Sequence, residues 1–364
     1  MEDEIIIGEK GSRPVRTSAA RKRKSKKSKR NPLIWLIIVL AVLMLAGGFG
    51  IFCFHGFSGK ESRWVYIPEG CSKSAFNDSL VGALGSGEAN RVMFLWNLMG
   101  GTVEKAHGAY RIDPGLASVR IARRIASGAQ TPVKLTFNNV RTIQELALRL
   151  SKTMEFDASQ FAEACADVLP GYGFEDARQY AAAFLPDTYE CYWTELPSSV
   201  VEKLVGHRNS FWTAERRSKA KALGLTPVQV ATIASIAEEE TYRKDERPTI
   251  ARLYMNRLAK GMKLQADPTV KFANGDFSIR RILGKHLAVA SPYNTYRVAG
   301  LPPGPIRIVD ATTLDGVLDA PKNPYIYMCA REDFSGYHNF ASDYSTHMAN
   351  ARRYQAELNK RNIR

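Results

Sequence analysis

The chain has 364 residues, enough for two or three domains, and its 45% hydrophobic and 24% charged content is ordinary for a globular protein. A net charge of +15 invites a nucleic-acid reading, but residues 1–30 hold eleven Lys/Arg against four Asp/Glu, so almost half the surplus lies in one tail. That tail, densest at "RKRKSKKSKR", has no aromatics interleaved for stacking on bases, which argues against nucleic acid as a partner.

Immediately after it comes "PLIWLIIVLAVLMLAGGFGIFCF", Pro32 to Phe54, with no charged residue. Crossing the hydrocarbon core takes about 20 apolar residues, whereas the apolar region of a signal peptide is usually about 7–15. The apolar run continues past the small residues Ala46, Gly47 and Gly48, so an uncleaved anchor is expected. Basic residues on its N-terminal side predict a cytoplasmic tail and an exported remainder, with the tail also drawn to anionic membrane lipid. Cys71, Cys165, Cys191 and Cys329 would then be exported. Their irregular spacing defines neither a disulfide pairing nor a zinc site.

Residues 55–63 read as a polar connector. From 64 to 152 the pattern predicts a small α+β module. Its strands are "WVYIPEG", "GAYRID" and "TPVKLTF", and its helices "AFNDSLVGAL", "NRVMFLWNLMGG", "LASVRIARRIASG" and "NNVRTIQELALRLS". Residues 153–225 are helix-rich. The stretch "TPVQVATIASIAEEETYRK" then starts a helix cleanly, with Thr226 as N-cap, Pro227 at the first position and Gln229 completing a capping box.

Three consecutive glutamates end this stretch, and helical angle separates them. At about 100° per residue from Val230, the apolar residues Val230, Ile233, Ala234, Ile236 and Ala237 centre near about 330°. Glu240 lies about 50° from that centre, Glu238 about 110° and Glu239 about 150°. Glu240 is therefore expected on the buried stripe, Glu238 at its edge, and Glu239 outward in an i,i+4 pair with Arg243. Desolvation raises a carboxyl pKa, as a general acid acting near neutral pH requires. The bland alternative is that Glu240 pairs with Lys244 at i+4, or caps neighbouring backbone, and does no chemistry.

Pro248 opens the next helix, with Ile250, Leu253, Tyr254 and Leu258 as its apolar stripe and Gly261 as its stop; Asn256 and Arg257 fall mid-helix, where solvation is the default. Asp267 before Pro268 favours a turn. "SPYNTYRVAGLPPGPI" suits a rigid loop lining a groove for a polar ligand. His338 and His347 are nine apart and do not fit a helical metal pair. No metal or cofactor motif is readable. A charged helix, "STHMANARRYQAELNKRNIR", ends the chain.

Several of these segments, "ASIAEEET", "NRLAKGMKLQADPTV", "YNTYRVAGLPPGPI" and His338-x-Phe340 with His347 beyond, resemble in their order the YceG-like (MltG) family of membrane-anchored endolytic murein transglycosylases. The resemblance is most specific over about 225–350. Further upstream "FLPDTY" matches a family signature, and "GAYRIDPGLASVRIARRIASG" is similar to the family's LysM-like subdomain.

The resemblance implies an α+β protein: a basic cytoplasmic tail (1–30), a transmembrane helix (32–54), a LysM-like module (64–152) and a mixed α/β YceG-like catalytic domain (153–364) at the extracytoplasmic face of the plasma (inner) membrane. It implies cleavage of the β-1,4 bond between N-acetylmuramic acid and N-acetylglucosamine in nascent peptidoglycan, leaving 1,6-anhydro ends. Peptidoglycan synthases would be partners. The family's catalytic glutamate precedes Thr in an E-x-E-T motif, which lands on Glu240, with Glu238 as the motif's other glutamate and Glu239 where the family often has Lys. By motif match Gln265, Asp267, Asn294 and Tyr296 surround the cleft, Asn256 supports it, and His338 is a further candidate. A hydrolytic muramidase using Asp267 as second carboxyl, and a non-enzymatic wall-binding scaffold, are the competing readings.

Overall fold

A computed structural model describes residues 31–361, in two compact units that divide between Phe54 and His55. The expected basic tail, 1–30, lies outside the described residues. The first unit is α1 (Pro32–Phe54), 23 residues without charge and long and apolar enough to cross a membrane.

The second unit opens with β1 (Arg63–Ile67), α2 (Lys73–Leu84), α3 (Ser86–Leu98) and the single turn α4 (Val103–Ala106), then β2 (Gly108–Ile112), α5 (Ser118–Ala126), β3 (Val133–Phe137) and α6 (Ile143–Leu150). β1 and β2 pair antiparallel, Val65 opposite Tyr110. α6 starts five residues into the segment expected to be helical, at a side-chain cap in which Thr142 accepts from the Glu145 amide at 3.1 Å.

β3 buries Val133, Leu135 and Phe137 on alternate positions. Its partner is β4 (Asp187–Cys191), Leu135 opposite Tyr189, reached after α7 (Ala158–Val168). The sequence shows no strand signal at "DTYEC", because Asp, Glu and Thr dominate it and the pairing partner is 52 residues away at Thr136–Thr188. The expected module boundary near 152 thus falls between two strands of one sheet. α8 (Pro197–Phe211) and α9 (Ala214–Ala222) lead to α10 (Pro227–Glu240), α11 (Arg247–Ala259) and α12 (Asp267–Asn274). The turn expected at Asp267 is the first turn of α12. After α13 (Gly284–Leu287) and α14 (Ala311–Leu318), β5 (Tyr327–Ala330) and β6 (His338–Ala341) form the third antiparallel pair, and α15 (Tyr344–Lys360) closes the described chain.

α10 is the centre of the unit. Its capping box forms as predicted, with the Gln229 amide donating to Thr226 Oγ1 at 3.2 Å and the Thr226 amide to Gln229 Oε1 at 2.8 Å. Every residue from Val230 to Glu238 is buried. A helix enclosed on all sides has no solvent face, and this overturns two angular expectations. Glu238 is the most enclosed of the three glutamates, and Glu239 is not outward. The helix also ends at Glu240, with Thr241 extended (φ −143°, ψ 140°), so neither the Glu239–Arg243 nor the Glu240–Lys244 spacing survives as a helical pair. The five cysteines in the described residues are free thiols.

Candidate active site

The end of α10 is fixed from below. Ser235 donates to the Thr232 carbonyl at 2.7 Å and accepts from the Ile306 amide at 3.0 Å, tying the helix to the loop before α14. Glu238 then meets two guanidinium groups, Arg247 and Arg307, at 3.3 Å each, and accepts from Thr313 Oγ1 at 2.7 Å. Glu239 takes Arg307 at 2.8 Å and Arg141 at 3.2 Å. The two glutamates and three arginines make a nearly continuous ionic floor. A buried carboxylate is tolerated only with such compensation. Arg243 turns instead to the Ser335 carbonyl.

Glu240, the last helical residue, is partly buried and rises from this floor into a cavity of about 230 Å³. Tyr254, fully buried on α11, donates its hydroxyl to Glu240 Oε1 at 2.5 Å. Burial raises the Glu240 pKa to about 7 from its ordinary 4.5; the Tyr254 hydrogen bond opposes the rise, the nearby Asp267 carboxylate adds to it, and His338 and Lys271 oppose it. The C-terminal end of α10, where the helix dipole disfavours negative charge, acts in the same upward direction. Desolvation and the neighbouring Glu240 also push the Tyr254 hydroxyl well above its ordinary value, keeping it a donor.

Gln265, Asp267, Tyr296 and His338 line the same cavity. Gln265 reaches it through a left-handed backbone (φ 51°). Asp267 starts α12 and accepts from the Tyr296 hydroxyl at 2.6 Å. His338, on β6, is clamped by Glu246: its amide donates to one carboxylate oxygen at 2.7 Å and Nδ1 shares a 2.7 Å bond with the other. A carboxylate on Nδ1 fixes the ring's orientation and its proton on that nitrogen.

Asn294, Asn256 and Glu238 are not among the residues that line this cavity. Asn294 is wholly buried; its amide group donates to the Leu287 and Val289 carbonyls at 2.9 Å each, and its Oδ1 accepts from the Tyr296 amide at 3.2 Å. It shapes the loop that presents Tyr296. Asn256 donates to the Asn323 and Tyr325 carbonyls at 2.8 and 2.9 Å, pinning the entry to β5. Arg257 is buried rather than solvated, donating to the Ile326 and Leu264 carbonyls at 2.6 and 2.7 Å.

Three residues at the site carry no functional signal in the sequence. Tyr254 reads as one more apolar-stripe residue and Arg257 as a solvated one, and nothing in the sequence singles out Glu246. The spacing of Tyr254, fourteen residues after Glu240, becomes meaningful only once α10 and α11 are known to pack together. Glu246 lies 92 residues before His338.

The profile of the YceG-like family matches residues 65–353. An endolytic murein transglycosylase of Bacillus subtilis is 36% identical over 134 residues, an alignment covering 37% of this chain and 37% of the relative's own length. One from Streptococcus pneumoniae is 31% identical over 117 residues, covering 31% of this chain and 21% of that protein. The chain thus aligns with well under half the length of either relative. A crystal structure of a YceG-like protein from Listeria monocytogenes superposes with a TM-score of 0.52 over 80% of this chain and 99% of that one, at 24% identity, a likeness of fold.

Proposed function

The chain belongs to the YceG-like family, and from that premise we propose that it is an endolytic peptidoglycan lytic transglycosylase with Glu240 as its single acid/base. The observation that carries this reading is a cavity carboxyl whose pKa is raised to about 7, so that it is substantially protonated at neutral pH yet able to lose the proton.

Protonated Glu240 donates to the glycosidic oxygen between N-acetylmuramic acid and N-acetylglucosamine. The carboxylate left behind takes the proton of the muramic acid 6-hydroxyl as that oxygen attacks C1, and a 1,6-anhydro end forms. Nucleophile and leaving group both belong to the substrate, so one carboxyl serves both half-reactions. Tyr254 holds the carboxyl in place, while Gln265, Asp267, Tyr296 and His338 supply polar contacts for the sugars. Glu238 and Glu239 set the height and orientation of the helix end through their arginines.

Asp267 in the same cavity favours a second reading, a hydrolytic muramidase with two carboxyls. Its oxygen is engaged by Tyr296, which supports the one-carboxyl reading. α1 would anchor the chain with residues 1–30 in the cytoplasm and the remainder outside, facing nascent glycan strands and the machinery that synthesises them.

Digestion of purified glycan strands by the wild type and Glu240→Gln tests the assignment. The wild type should yield anhydro ends, and the variant should be slower by about 10²–10⁴-fold. Products one water heavier would favour the muramidase, and anhydro ends made equally by both proteins would remove Glu240 from the chemistry.

A further inference from the structure

Glu240 borders three concavities. Besides the polar cavity it lines a hollow of about 610 Å³ with Arg141, Glu239 and Arg307, and another of about 280 Å³ with Tyr242, Phe334, Tyr337, His338 and Tyr354. The rings in the wall of this third concavity, Tyr242, Phe334, Tyr337 and Tyr354, take no part in the chemistry above.

Thr241 is extended and buried between Glu240 and Tyr242, and both of these neighbours line the second and third concavities. Tyr242 is 70% exposed, a large ring presented to solvent beside a carboxyl held in a cavity. The ring is nonetheless fixed. The Arg243 guanidinium lies 5.1 Å from its centroid and 4.5 Å from that of Tyr337. The Tyr242 hydroxyl donates to the Ser335 carbonyl at 3.3 Å. Gly336 has φ 80°, and a Cβ there would overlap the Tyr242 hydroxyl. Phe334 adopts φ 56°, a left-handed conformation that an aromatic residue rarely takes. Such outliers gather where a ligand surface is being shaped. Phe334, one of three non-glycine residues with positive φ among those described, thus lies in the loop against which this ring rests.

We propose that Tyr242, with Phe334 and Tyr354 beside it, is the stacking platform of a subsite for an N-acetylated pyranose adjoining Glu240. The proposal rests on the glycan-cleaving reading and extends it to a specificity-determining residue. The electron-rich face of the ring attracts the polarised C–H groups on one face of a sugar, and the neighbouring rings accept an acetamido methyl. Tyr242 lines both of the flanking concavities, so a glycan laid across Glu240 passes over it. In the hollow on its other side Arg141, Arg247 and Arg307 are matched by Glu238, Glu239 and Asp310, leaving a balanced floor suited to a neutral polar chain rather than an anion.

The test uses the detergent-solubilised full chain carrying Glu240→Gln, titrated calorimetrically with chitohexaose. Adding Tyr242→Ala should weaken binding about tenfold, and Tyr242→Phe should stay within about twofold. An unchanged affinity in the alanine variant, or no chitohexaose binding by either protein, overturns the proposal. Strand digestion by proteins that keep Glu240 separates this from the underlying reading. Anhydro ends formed with the same KM by the wild type and Tyr242→Ala sink the platform and leave the transglycosylase standing. Tyr242-dependent chitohexaose binding without cleavage by the wild type does the reverse.

Discussion

Replacing Glu240 by Gln should make the protein more stable at pH 8 while slowing the proposed chemistry by about 10²–10⁴-fold. Gln keeps the oxygen that accepts from Tyr254, so the 2.5 Å contact persists, but it removes a charge the site resists. The sign follows from the direction of the shift. With a folded pKa of about 7 against an ordinary 4.5, the folded protein holds this proton more tightly than the unfolded chain does. Below about pH 4.5 the carboxyl is neutral in both states and costs nothing; stability falls as pH rises from there to about 7, where the full penalty is reached. At about 1.4 kcal/mol per tenfold in proton affinity the penalty is at most about 3 kcal/mol. Solvent access to the partly exposed carboxyl reduces this to about 2 kcal/mol, equivalent to about 4 °C in Tm for a unit of this size. Thermal unfolding of the two full-length proteins, followed by circular dichroism from pH 4.5 to 8.5, supplies the measurement. The Tm difference should widen with pH and level off above 7, other titrating groups cancelling between the proteins. A difference that stays flat across the range would mean Glu240 ionises like an exposed glutamate, and the acid role would lose its basis.

Other substitutions probe the surroundings. Glu238→Ala leaves Arg247 and Arg307 without their buried carboxylate and should cost about 3 kcal/mol, read as a lowered denaturation midpoint. Tyr254→Phe removes the hydrogen bond that holds the Glu240 pKa down, so the alkaline limb of the pH–rate profile should move to higher pH while kcat falls about tenfold; an unmoved limb would deny that the hydroxyl acts on this carboxyl. Gly304→Ala places a Cβ against the Arg178 carbonyl oxygen and should destabilise by about 3 kcal/mol or prevent folding, measured by the same denaturation assay.

The sequence makes legible whatever is local. Thr226, Pro227 and Gln229 fix where α10 starts, because a capping box is a contact among neighbours. Gly261 correctly marks the end of α11, with its left-handed backbone just past the helix. The faces of α10 were not legible beyond Glu240. Alanine, threonine and serine at 231, 232 and 235 look indifferent to burial, and an amphipathic reading assigns them outward; packing on all sides encloses them, and Glu238 with them. The partners that make burial of Glu238 and Glu239 tolerable, Arg141 and Arg307, lie 98 and 68 residues away from Glu239. Likewise Asn294, expected at the cleft by motif, and Asn256, expected to support it, both serve the backbone around it. Their amide groups satisfy carbonyls that no periodicity reveals.

The ionic floor under Glu240 has a consequence for the conditions the protein tolerates. Mobile ions weaken charge pairs on a surface within a Debye length of about 10 Å, but they hardly reach pairs enclosed by protein. Glu238 and the guanidinium groups of Arg247 and Arg307 are almost wholly enclosed, so salt entering the cleft leaves their mutual attraction nearly intact. The end of α10 is therefore held in one position whether the surrounding fluid is dilute or briny. Sensitivity to ionic strength, where it exists, will arise in the exposed charged groups around the cleft.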